Sequence, residues 1–323
     1  MTEVHLLIPD NCGRGAITPR PEAFLDLRLA GETMGTNWSA RWFSPLSVRE
    51  GDVAAALEHS FTTVIASMST WQAESLISRY NDLPPGQTIE IDAPFAEVMA
   101  HALDIARRSK GAFDPCLGRE VRRRGFGPSV LEKHRQSFYG ESAWCQILPA
   151  SSVLMQPGGV VLELSAIAKG YAVDQMARTL ETFGVTQFLV EIGGEFVARG
   201  VRSDGMPWWV DIENPYPGGA PWRVALVGKA LATSGDYRQR RQEGSETVSH
   251  IVPAAGRAND GGDLASVSVI HPQCAIADGW ATALFAAGDR DGLAMADAEG
   301  LAALFQYRNA PPRLSAEMQK FAG

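Results

Sequence analysis

The feature that most constrains the fold is a change in the spacing of apolar residues near residue 185. Between Gly51 and Met68 the apolar positions are Val53, Leu57, Phe61, Val64, Ile65 and Met68, which form one stripe of a helix. The stretch "APFAEVMAHALDIARRSKG" (93–111) predicts a second helix, with Lys110 and Gly111 as stop signals. "AKGYAVDQMARTLETFG" (168–184) predicts a third, ending at Gly184. Beyond it the pattern switches. "QFLVEIGG", "WWVDIEN", "WRVALVG", "TVSHIVP" and "LASVSVIH" are rich in Val and Ile and separated by turns, the signature of a substantial, largely antiparallel sheet. Residues 23–43 alternate around Gly31 and Gly35, which predicts two strands and a Gly-rich turn. "CAIADGWATALFAAG" (274–288) reads as a buried helix, followed by a short helix near 291–298 and a closing strand "LAALFQYR". Helices ahead of strands argue for an α+β fold, a largely antiparallel sheet core with flanking helices. Residues 1–22, polar and rich in Pro and Gly, are expected to form a loose arm.

The 323 residues carry a formal net charge of −8, a balance that favours neither nucleic acid nor an anionic membrane as partner. Two short basic clusters, Arg122–Arg123–Arg124 and Arg238–Arg240–Arg241, read either as solvated faces or as a patch for an anionic ligand. Cys12, Cys116, Cys145 and Cys274 are scattered without a CxxC pair, against a zinc site or a disulfide framework. No run approaches the ~20 apolar residues of a membrane span. The N-terminus shows neither a signal peptide nor a lipobox, so the expected location is cytoplasmic.

Asp278 sits within the apolar helix, and a bare buried carboxylate is costly. Thr282, four residues on, shares its face. The pair reads as hard-cation ligands, since Mg²⁺ accepts a few oxygen ligands plus waters or phosphates. From the residues alone, the commoner reading of such an Asp is a helix cap. "ELSAIAKGYAVDQ" (163–175) places a predicted helix start near Ala168 beside Lys169, either an anion site or an ordinary strand-to-helix turn. "TSGDYRQ" offers Ser, Gly and Asp in a turn, and "SHIVP" sets His250 in a strand. The paired glycines of "VEIGGEF" permit close approach to a ligand, or simply make a turn.

In order, "TMGT", "MSTWQAES", "AFDPCLG", "AIAKGYAVD", "GGE", "TSGDY", "SHIVP" and "ADGWATAL" resemble the ApbE family of Mg²⁺-dependent FAD:protein FMN transferases. The resemblance runs from about Leu29 to Gly288. It implies an α+β, T-fold-like domain over 23–310 and a tail at 311–323. It implies FAD as substrate, Mg²⁺ as cofactor, and as partner an acceptor flavoprotein with a Thr or Ser attachment site, AMP being released. Met34, Trp71 (where the family usually has Tyr), Ala112, Phe113, Asp114, Glu163, Lys169, Ser234 and Ile251 would contact FAD. The Ala166 carbonyl, Asp278 and Thr282 would hold Mg²⁺. His250 matches the reactive-site histidine, and with Asp278 makes the catalytic pair. The family's "DLGxIAKG" reads "ELSAIAKG" here, and "HIIDPxTG" reads "HIVPAAG". Two other functions use the same site: a FAD pyrophosphatase yielding FMN and AMP, and a non-catalytic FAD-binding protein.

Overall fold

The computed structural model describes residues 4–9, 24–128, 143–146, 152–216, 219–237, 240–243, 246–249, 251–252 and 263–322. Its first half runs β1 (His5–Leu7), β2 (Phe24–Thr33), β3 (Thr36–Pro45), α1 (Glu50–Met68), α2 (Leu76–Asn81), β4 (Thr88–Glu90), α3 (Ala93–Arg108), α4 (Gly118–Arg123), β5 (Val153–Met155) and α5 (Ser165–Thr182). The second half runs β6 (Phe188–Ile192), β7 (Glu195–Arg199), β8 (Trp208–Ile212), β9 (Trp222–Leu226), β10 (Ala230–Gly235), β11 (Arg240–Glu243), β12 (Glu246–Ser249), β13 (Leu264–His271), α6 (Cys274–Glu299), β14 (Ala302–Tyr307), β15 (Arg313–Leu314) and α7 (Ala316–Gln319). The fold is α+β, as the change of period predicts.

Eight strands form one antiparallel sheet in the order β15-β14-β13-β10-β7-β6-β3-β2. Both of its faces are covered, and the strands show why. Along β14, Ala303 and Phe305 join the core beneath the helices, while Ala302 and Leu304 join a second core on the opposite face. This is the two-residue alternation of a strand buried on both sides. The first core takes in α1, α3, α5 and α6. The second is closed by a smaller sheet, β1-β9-β8, and by Met318 and Phe321 of the C-terminal segment.

Two expectations change. The strands "WWVDIEN" and "WRVALVG" belong to the smaller sheet, because alternation reports burial but not which strand is the neighbour. Within the stretch expected as a loose arm, His5–Leu7 pair in parallel with Trp222–Val224, and Leu7 is fully buried. The helix end expected at Gly288 and the short helix beyond it are both present, as two segments of α6 that meet at a kink where the φ of Gly288 is 81°. Among the described residues, no helix is long and apolar enough to cross a membrane, and Cys116, Cys145 and Cys274 are free thiols.

Candidate active site

The site lies where α5 crosses α6 under the edge of β10 and the β6–β7 turn. The crossing depends on Gly170. A Cβ at this position would lie 2.8 Å from the Cβ of Asp278 and collide with the Cys274 carbonyl, so only glycine lets the two helices approach this closely. The approach brings the Gly170 N–H to Asp278 Oδ2 at 2.9 Å. In an α-helix the amide of residue 170 faces the carbonyl of residue 166. The Ala166 carbonyl thus belongs to the same turn of α5 as the amide that Asp278 accepts. One turn further along α6, the Thr282 hydroxyl meets that of Ser234 at 2.8 Å.

Asp278 is only 2% exposed, and burial raises its pKa against the pull of Lys169 and the Gly170 amide. Lys169 Nζ pairs with Glu195 Oε2 at 2.7 Å. Burial pulls the Lys169 pKa down, but Glu195 and Asp278 outweigh it and hold the ammonium charged well above its ordinary range. One ammonium thus faces two buried carboxylates. Glu195 reaches it from the start of β7, directly after the two-residue hairpin turn Gly193–Gly194, whose φ values are 61° and 102°. Both central residues at positive φ is the hairpin geometry that twisted strands favour. The paired glycines are thus a turn. Their close packing is against Thr36 of the neighbouring "TMGT" turn, whose side chain would lie 2.8 Å from a Cβ at Gly193. Met34 occupies that turn at φ 50°, half-buried against the main core.

A second group adjoins the first through the start of α5. Asp114 Oδ1 accepts the Cys116 N–H at 2.8 Å, and the Glu163 N–H donates to the Pro115 carbonyl at 2.8 Å. Ala112 and Phe113 are buried beside them. The Glu163 carboxylate accepts the Ser165 N–H at 3.0 Å and also the Ser165 hydroxyl. Those bonds order a first turn of α5 one turn earlier than expected, at Ser165 rather than near Ala168. Lys169 is therefore inside the helix, not at its mouth, and the Ser165 amide is already taken. Burial raises the pKa of both Asp114 and Glu163.

The cap reading of Asp278 does not hold. The α6 amides of Cys274 and Ala275 donate to Asp174 Oδ1 and Oδ2, each at 2.9 Å, so the cap comes from α5. Asp174 and Glu195 both stand in motifs visible in the sequence, "KGYAVD" and "GGE", yet their partners lie on other elements and spacing does not reveal them. Trp71 lies on the turn after α1, 70% exposed. Ile251 is buried in the main core, and His250 lies outside the described residues. In the first basic cluster, Arg123 and Arg124 both bind Glu120 at 2.7 Å; Arg238 lies outside the described residues. Among the described residues, no group of three or more His, Cys, Asp or Glu is arranged to hold a metal.

Comparison with known proteins gives a consistent set of likenesses. A model of the ApbE family matches residues 34–305. An FAD:protein FMN transferase of Haemophilus influenzae is 33% identical over 302 residues, 85% of each chain. One of Klebsiella pneumoniae is 28% identical over 302 residues, 89% of this chain and 86% of its own. Among solved structures, the flavin transferase ApbE from Vibrio cholerae superposes with a TM-score of 0.81 at 27% identity, over 93% of this chain and 100% of that one. The apo form of the Pseudomonas stutzeri flavinyl transferase ApbE gives 0.82 at 28% identity, over 93% and 98%.

Proposed function

This chain belongs to the ApbE family, and from that premise we propose that it is an FAD:protein FMN transferase, Mg²⁺-dependent, that moves FMN from FAD to a Thr or Ser hydroxyl of a flavoprotein and releases AMP. The observation that carries the reading is the buried Asp278, with the Gly170 amide and Lys169 at one side and the Ser234–Thr282 hydroxyl pair one turn along. A carboxylate, a helix carbonyl and a hydroxyl are all hard oxygen donors, and a site with one charged ligand suits a cation that keeps waters or phosphate oxygens. The residues therefore fit Mg²⁺, held by Asp278, Thr282 and the Ala166 carbonyl. When bound, the ion supplies charge neutralisation at the pyrophosphate of FAD.

The remaining roles fall to the chain's own groups. Phosphoryl transfer to a hydroxyl needs in-line positioning and electrostatic support more than covalent help. Lys169, held charged by its carboxylate neighbours, adds positive potential at the pyrophosphate. Met34, Ala112, Phe113, Asp114, Glu163, Ser234 and Ile251 bind and orient FAD, and the exposed Trp71 offers its ring to the flavin or the adenine. The acceptor oxygen bonds to the FMN-side phosphorus, the bond to the AMP oxygen breaks, and His250 takes the hydroxyl proton, as an imidazole titrating near neutrality can.

The deciding experiment incubates the protein with FAD, Mg²⁺ and candidate acceptor flavoproteins and looks for a fluorescent, FMN-sized mass addition. AMP release from FAD at the same rate without any acceptor would replace transfer by hydrolysis. Tight FAD binding with no turnover under either condition would leave a carrier. Asp278→Ala is expected to abolish turnover while the circular dichroism spectrum stays native; full activity in that variant would sink the cation assignment.

A further inference from the structure

Ser234 and Asp236 straddle the end of β10, and a group that fixes this turn comes from a distant part of the chain. Arg308, the residue after β14, donates from Nη2 to Asp236 Oδ1 and from Nη1 to the Leu264 carbonyl at 2.6 Å. Its backbone N–H reaches the Asp263 carbonyl at 2.9 Å, and the Asp236 N–H reaches the Ala265 carbonyl at 3.2 Å. The Asp236 side chain is 6% exposed and the Arg308 side chain 22%. A single planar guanidinium therefore fastens the end of β10 to the first residues of β13. Planar, multi-donor binding of this kind is what arginine does and lysine does poorly.

The fastened turn bears on chemistry because of what lies two residues upstream. Ser234 precedes Asp236 by one strand repeat, and its hydroxyl is the one that meets Thr282 of α6. Gly235, between them, has no room for a side chain: a Cβ there would lie 2.6 Å from the Ala265 carbonyl. The backbone from Ser234 to Asp236 is thus pressed onto β13 and held there by Arg308. We propose that Arg308 is a positioning residue for flavin transfer, holding Asp236 so that the Ser234 hydroxyl stays in register with Thr282. The proposal rests on the transferase reading above.

The test compares wild type with Arg308→Gln, Arg308→Lys, Asp236→Asn and the Arg308→Gln/Asp236→Asn double variant. Arg313→Gln, which breaks an exposed pair with Asp289, is the control. Each is assayed for AMP release with acceptor present and for FAD affinity by flavin fluorescence, at a temperature where all are folded by circular dichroism. Misplacing a site by about 1 Å costs on the order of 100-fold, so Arg308→Gln is expected to lose roughly 10- to 100-fold in kcat/KM and to bind FAD more weakly. Arg308→Lys should recover part of both, Arg313→Gln should match wild type, and the double variant should be no worse than either single one. A folded Arg308→Gln with wild-type kcat/KM and FAD affinity overturns the proposal. If that variant does not fold, wild-type values in both Arg308→Lys and Asp236→Asn overturn it. A wild type that binds FAD without turnover sinks the transferase reading instead, and the FAD affinities alone then decide the role of Arg308. A wild type that does not bind FAD overturns both.

Discussion

Gly170 and Asp278 illustrate how single residues set the site. Gly170→Ala would place a methyl group against the Cys274 carbonyl and the Asp278 side chain. Overpacking of this kind costs roughly 1–3 kcal/mol. The variant is expected to melt earlier and to lose turnover more than its stability loss explains, because the displaced side chain is the carboxylate of the site; thermal melts and AMP-release rates together check this. Glu195 offers a pH test. Burial, opposed by Lys169, raises its pKa from the ordinary 4.5 to about 8. The folded protein then binds this proton more tightly than the unfolded chain does, so stability falls as the pH climbs from about 4.5 to about 8, and the carboxylate that pairs with Lys169 is fully formed only above that range. Glu195→Gln is expected to flatten that fall, measured by urea unfolding across the same range. That Asp278 and Thr282 share a face of one helix was legible in the sequence, because i,i+4 spacing on a helix is itself geometry. Glu195 as the partner of Lys169 was not, since their meeting is made by a hairpin turn and a helix packed from opposite sides.

At the scale of elements, α5 and α6 define the site by capping and crossing each other. The bonds from the Cys274 and Ala275 amides to Asp174 replace the side-chain cap that Gln273 does not provide. Removing a buried acceptor of two amides leaves both unpaired. Asp174→Ala is therefore expected to cost about 1–3 kcal/mol in urea unfolding. Asp174→Asn, which keeps one acceptor oxygen, should lose less. The helix starts show where sequence reading reaches its limit. The apolar stripes gave α1 and α3 nearly to the residue, and Gly288 marked the kink of α6. The start of α5 lies a turn ahead of the one expected from periodicity, because its signal is Glu163, outside the periodic segment, bonding back onto Ser165.

For the whole molecule, the decisive fact is a sheet with two buried faces. Only the first core touches the site. Leu7→Ala, in the second, is expected to cost about 2–5 kcal/mol while leaving kcat unchanged, a separation that a melt and a rate measurement detect. The α+β class was legible from the change of apolar period. The second sheet was not, because a strand's alternation says that both sides are covered and not by what.

The second sheet also gathers the two ends of the described chain. The Ile8 N–H donates to the Phe321 carbonyl at 2.7 Å, and Leu7 bridges Ala322. Seen mechanically, this pairing is a strain relief. A pull applied through tethers at both ends is carried first by the 8–321 contact and by the pairing of β1 with β9. The crossing of α5 and α6, on the far side of the large sheet, is unloaded until those bonds are gone. Tethering through both ends should therefore leave the site in working order under modest force.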